Sequence, residues 1–197
     1  HRTAEFVGSS LNISSGEVVV CSTGLIGELL PMQKILDGIS ALSSELQTDS
    51  LEDVARAIMT TDSVPKIANL AINGVSFAAI AKGAGMLAPA LATMLSVVMT
   101  DAILPDNAQE VFQRVTDRTY NRIDSDGCTS TNDTVLLMGS GASGVALSAV
   151  DFEESLMKIC SSLTQQLIAD AEGSTKTIAI KVTGAMTEAD AVEVARA

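Results

Sequence analysis

The sequence predicts an α+β fold in which mixed sheets are layered with helices. Three observations carry this. Apolar runs of strand length and amphipathic helical stretches follow one another without the regular βαβ rhythm of a doubly wound sheet. Asn73-Gly74 stands between IANLAI and VSFAAI, a strong short-range hairpin signal. A long striped segment runs from Asp151 to Gly173, too long for a strand and closed by a glycine.

The elements follow in order. The chain opens without Met on HRTAEFVGSSL, which reads as the tail of a helix. Residues 17–22 (EVVVCS) read as a buried strand. Residues 31–47 form an amphipathic helix with Met32, Ile35, Leu36, Ile39, Leu42 and Leu46 on one stripe. Ser50 with Asp53 caps a short helix, LEDVARAIM. From Gly83 to Thr100 no residue is charged, which reaches the lower length limit of a membrane span. Gly83, Gly85 and Pro89 interrupt that run, and Lys82 and Asp101 bracket it. A buried loop feeding a strand over residues 93–100 is the better reading.

Asp106 with Gln109 resembles a capping box for QEVFQRVTDRTYNRI, and residues 134–138 read as another buried strand. Asp151 with Glu154 caps the long helix. Residues 177–183 alternate, with Ile178, Ile180 and Val182 on one face of a strand. Thr187 with Asp190 opens a last helix whose Ala/Val pattern meets no stop signal before Ala197. The two ends together lead us to expect a piece of a longer polypeptide. No internal repeat or low-complexity tract is present, and the first residues do not form a signal peptide.

Composition narrows the chemistry. The 197 residues are 47% hydrophobic, with no Trp, one Tyr and four Phe, so the core must be aliphatic. Twelve basic against 24 acidic residues give a net charge of −12, which repels nucleic-acid phosphates and anionic membranes. The three cysteines, Cys21, Cys128 and Cys160, form no CxxC pair, which suits a reducing cytosol and argues against a disulfide framework or a zinc site. The lone histidine is the first residue. Ser-His-Asp and Cys-His mechanisms and histidine metal centres therefore lack their imidazole. Any acyl-transfer chemistry needs another base. Cys128, without a histidine partner, reads as a small buried residue.

The segment KGAGMLAPALATML, residues 82–95, invites two readings. A glycine-rich loop after a strand can cradle phosphate, but here the lysine precedes the glycines and GxxxxGK[ST] order is missing. On spacing alone, a tight loop in which Gly83 and Gly85 allow close backbone packing is the better reading. Thr93 adds a third. A threonine opening a strand after a Gly/Pro loop can attack the preceding carbonyl, shift the acyl group from nitrogen to oxygen, and be freed by water. Its new α-amine then serves as base for its own hydroxyl. Most strand threonines are β-branched fillers, so the residues alone leave this open.

The same segment resembles the self-cleavage site of the bifunctional ornithine acetyltransferase / N-acetylglutamate synthase family of arginine biosynthesis. VCSTGLIGELLPM (20–32), AIMTTD (57–62), STNDTVLLMGSGAS (130–143) and DAEGSTK (170–176) resemble further family blocks in the family's order. The resemblance covers essentially the whole chain. It implies a self-processing fold like that of N-terminal-nucleophile aminopeptidases. Scission would fall between Ala92 and Thr93, so residues 1–92 would end an α-chain and 93–197 would begin a β-chain.

The resemblance also assigns roles. Thr93 would be the nucleophile that carries acetyl. Thr23 and Gly24 would form the oxyanion hole, where a preorganised donor is worth roughly 3–4 kcal/mol of barrier; read without the family, CSTG is an ordinary strand-to-helix turn. Thr60, Lys82 and Glu172 would bind the amino acid. Lys82 suits an α-carboxylate and Glu172 the side-chain ammonium of ornithine. Their bland readings are a turn hydroxyl, a solvated loop lysine and a helix-end acid. Glu172 fits the last poorly, since a helix C-terminus disfavours an anion. Ser130 lies near this region and is given no role.

The implied cycle is ping-pong: acetyl passes from N2-acetylornithine to Thr93 and then to glutamate, and bifunctional members also take acetyl-CoA. The resemblance implies a cytoplasmic enzyme without metal or bound cofactor, whose α- and β-chains pair into a heterotetramer. Two other readings remain: a self-processing aminopeptidase or amidohydrolase that transfers acyl to water, and an inactive truncated fragment.

Overall fold

A computed structural model describes residues 1–25, 27–86, 94–128 and 131–197. The elements are α1 (Arg2–Leu11), α2 (Met32–Ser43), α3 (Leu51–Ala57), β1 (Lys66–Ile72), β2 (Val75–Lys82), β3 (Leu95–Thr100), α4 (Ala108–Arg118), β4 (Thr134–Gly139), α5 (Ala149–Ala169) and α6 (Glu188–Arg196). The α+β expectation holds. One four-stranded sheet has the order β1-β2-β3-β4, antiparallel except for the parallel β3–β4 pair.

The hairpin forms where its turn residues demand. Ile72 pairs with Val75, and both Asn73 (φ 50°) and Gly74 (φ 80°) adopt the positive φ of a type I′ turn. Helix α5 lies on β1 and β2. Its stripe of Phe152, Leu156, Ile159, Cys160, Leu163 and Leu167 is buried against Val75, Phe77, Ala79 and Ala81 of β2 and Val98 of β3. The Phe77 and Phe152 rings meet at 6.4 Å in a tilted arrangement. Helix α4 packs on α5 through Val111, Phe112 and Val115. Tyr120 closes that layer, its hydroxyl 2.8 Å from Ser96 Oγ. Burial raises the Tyr120 phenol well above its usual pKa and pushes the neighbouring Cys160 thiol up to about 12.

Several expectations fail, each for a physical reason. Residues 17–22 are not a strand: a one-turn 3-10 helix (Ser15–Glu17) leads into irregular chain with Val19 and Val20 exposed. Residues 177–183 are likewise irregular, with Ile178 81% and Ile180 66% exposed. Neither segment pairs with a described strand, and β-propensity without pairing does not make a strand. Residues 134–138 do form β4, but as a half-exposed edge rather than a buried strand.

Caps also differ. Ser50 makes no side-chain cap bond, and α4 starts after Asn107, so Asp106 caps nothing. Helix α5 is capped by Ser148, whose hydroxyl accepts from the Asp151 amide, rather than by Asp151 with Glu154. The Thr187–Asp190 capping box of α6 is complete. Helix α2 stops at Ser43, leaving Leu42 and Leu46 exposed. Cys128 is exposed, not buried, because it lies in a turn held by the Asp124 and Asp126 carboxylates. No described helix is long and apolar enough to cross a membrane.

Candidate functional site

Cross-strand register brings three strand ends to one place. Lys82, the last residue of β2, pairs with Leu95, the first of β3, and Leu95 pairs with Thr134, the first of β4. The glycine turn leaves β2 at this end. The C-terminal end of α5 arrives at the same point, where the Glu172 amide donates to the Ala84 carbonyl at 2.7 Å. A side chain on Gly85 would come within 3.1 Å of Glu172 Oε2, so the glycine keeps room for that carboxylate.

Lys82 is 1% exposed, although the sequence suggested a solvated loop lysine as its bland alternative. Its Nζ donates to Thr60 Oγ1 at 2.7 Å and lies 3.8 Å from Asp62 Oδ2. The structure thus gathers Thr60, Lys82 and Glu172, the three residues to which the resemblance gives substrate binding, around the Gly83–Gly85 turn. Burial lowers the Lys82 pKa, and the charge of Asp62 only partly offsets it.

Beneath these residues lies a charged network that the sequence reading missed. Asp62, whose side chain has no exposure, accepts from the Gly83 amide at 2.6 Å, from Lys66 Nζ at 2.8 Å and from the Thr60 amide at 3.1 Å. Lys66 is also fully buried and reaches Asp170 at 2.6 Å. Asp170 in turn accepts from the amide and hydroxyl of Ser63. Burial alone would raise the Asp62 and Asp170 carboxyls, but the donors outweigh it and both fall below the usual carboxylate value. The available signal was a lysine placed at the head of the apolar strand KIANLAI, four residues after an aspartate.

Two more aspartates hold the two described ends of the 82–95 segment from outside it. Asp126 accepts from the Met86 amide and Asp133 from the Met94 amide, both at 2.7 Å. Met86 sits at φ 55°, a left-handed conformation unusual for a residue that is not Gly, Asn or Asp. The Met94 carbonyl accepts from the Thr134 amide at 3.0 Å, so both backbone polar groups of Met94 are held.

Ala92 and Thr93, with Pro89 and Ser130, lie outside the described residues. Thr23 and Gly24 sit in irregular chain before α2. Among the described residues no hydrogen bond or ion pair links them to the Lys82 cluster. The Thr23 hydroxyl is buried and has no hydrogen-bond partner there, while Gly24 is exposed. No group of three or more potential metal ligands occurs among the described residues.

The ArgJ family model matches residues 1–197. An arginine biosynthesis bifunctional protein ArgJ from Thermobifida fusca is 53% identical over 196 residues, covering 99% of this chain and 51% of the relative. The protein of the same name from Streptomyces avermitilis is 51% identical over 197 residues, covering all of this chain and 51% of its own. That from Mycobacterium tuberculosis is 46% identical over 205 residues, again covering the whole chain here and 51% of the relative. The chain spans about half the length of the curated relatives it matches, and it belongs to the ArgJ family.

Proposed function

We propose that this ArgJ-family chain carries the acetyl-transfer centre of an arginine-biosynthesis enzyme, a glutamate N-acetyltransferase that also acts as an amino-acid N-acetyltransferase. The observation that carries the reading is the convergence of Thr60, Lys82 and Glu172 on the glycine turn at the head of β3. Thr93 directly precedes that strand's anchored first residues.

In this reading the Thr93 hydroxyl attacks the Ala92 carbonyl, and the acyl group moves from nitrogen to oxygen. Water then hydrolyses the ester, leaving Ala92 as a carboxylate and Thr93 with a free α-amine. That amine takes the hydroxyl proton as Thr93 attacks the acetyl carbonyl of N2-acetylornithine. The Thr23 hydroxyl and the Gly24 amide stabilise the oxyanion; the buried Thr23 hydroxyl, without a hydrogen-bond partner among the described residues, supports this assignment. Ornithine departs with the proton, glutamate enters, and its amine takes the acetyl group. Lys82 receives the substrate carboxylate, Thr60 holds Lys82, and Glu172 receives the ornithine ammonium. Acetyl-CoA serves as the second donor. No cofactor or metal takes part.

Residues 1–92 and 93–197 become the α- and β-chains of a cytoplasmic heterotetramer. Continuous β2–β3 pairing from Phe77–Thr100 to Lys82–Leu95 supports cohesion of the two pieces after scission. Intact mass under denaturing conditions tests the cleavage step, with Thr93→Ala beside the wild type. Two species divided at Ala92/Thr93 from the wild type, and one uncut chain from the variant, are expected. One uncut mass from both, in the natural polypeptide that carries this sequence, would contradict the reading.

A further inference from the structure

Buried ion pairs are weak stabilisers, since apolar residues of similar volume often do as well or better. A network that buries Asp62, Lys66 and Lys82 almost completely therefore calls for a reason other than stability. Its geometry supplies one. Asp62 Oδ1 accepts from the Gly83 amide and from Lys66, while Oδ2 faces the Thr60 amide and Lys82 Nζ. One carboxylate thus fixes the turn after β2 and the residue whose hydroxyl holds Lys82.

Charge points the same way. Asp62, Asp170 and Asp133 oppose Lys66 and Lys82. Lys66 stands 2.8 Å and 2.6 Å from the two carboxylates, closer than Lys82 stands to Asp62 at 3.8 Å. Lys66 therefore takes the larger share of the negative charge. Lys82 is oriented by Asp62, and the Asp133 carboxylate also acts on its charge.

We propose that Asp62 is a positioning residue for substrate binding, orienting Lys82 and pinning the Gly83 turn, with Lys66 and Asp170 holding the Asp62 carboxylate in place. The inference rests on reading Lys82 as the group that receives the substrate carboxylate.

The test is a double-mutant cycle of Asp62→Asn with Lys82→Met in the natural polypeptide. KM and kcat for N2-acetylornithine are measured, with rates normalised to the amount of Thr93 that becomes acetylated. Asp62→Asn alone should raise KM about tenfold while kcat changes less than about threefold. In the Lys82→Met background it should add less than about twofold, because its effect passes through Lys82. Lys66→Met, which releases Asp62 without touching Lys82, should show the same KM rise and the same loss of effect, and replaces Asp62→Asn if that variant does not fold. Additive KM effects in both cycles would overturn the proposal, as would failure of both variants to fold, which would make the network purely structural. A wild type that transfers no acetyl would instead overturn the acetyl-transfer reading, and this inference with it.

Discussion

Residues 95–100 and 17–22 are both short valine-rich runs, SVVM within one and EVVVC within the other, yet only the first is a strand. Residues 95–100 lie between β2 and β4 and have their backbone paired on both sides. Residues 17–22 pair with no described strand and stay irregular. The contrast extends to whole regions. Between residues 66 and 171 two of the three lysines, Lys66 and Lys82, are buried, Lys66 at 0% exposure. In the flanks Leu29 is 95% exposed and Met186 94%. Hydrophobicity alone does not decide burial; a partner surface does.

The contrast can be broken from its centre outward in the 197-residue chain. Lys66→Ala would leave Asp62 and Asp170 buried without their shared cation. We expect a loss of about 3–5 kcal/mol in urea unfolding, the largest effect of any change discussed here. Leu163→Ala, in the fully buried stripe of α5, should cost about 3 kcal/mol by the same measurement.

Acid should act on the same centre. Burial opposes ionisation of Asp62 and Asp170, but the Gly83, Lys66, Thr60 and Ser63 donors overcome it, so both titrate lower when folded than when unfolded. The unfolded chain takes up these protons first. Their contribution is complete above the ordinary carboxylate value of 3.8 and is lost as pH falls through the lower folded values. The urea midpoint should therefore drop below about pH 4, and Lys66→Met should flatten that drop. At the other extreme, Ile178→Ala in the exposed C-terminal flank should change stability by less than about 0.5 kcal/mol.

Local chemistry made much of the fold legible. Asn73-Gly74 dictated its own turn, Thr187 and Asp190 their capping box, and the apolar period of α5 its buried face. Residues 17–22 and 177–183 misled because strand formation depends on a distant partner that a local pattern does not encode. The Ser50 and Asp106 caps misled because a capping side chain must also reach the helix amides, and these do not. At the site, the resemblance picked out Thr60, Lys82 and Glu172, and the structure brings them together. Asp62 and Asp170 escaped notice because they lie 108 residues apart in sequence and meet only through Lys66.

The most direct measurement is to expose the natural polypeptide to N2-acetylornithine without glutamate, quench in acid, and locate the acetyl group by mass spectrometry. One acetyl group on the peptide beginning at Thr93, discharged when glutamate is added, is the result expected of an acetyl-threonine intermediate. A cleaved protein that releases ornithine while Thr93 stays unmodified, or that carries acetyl on another residue, would contradict it.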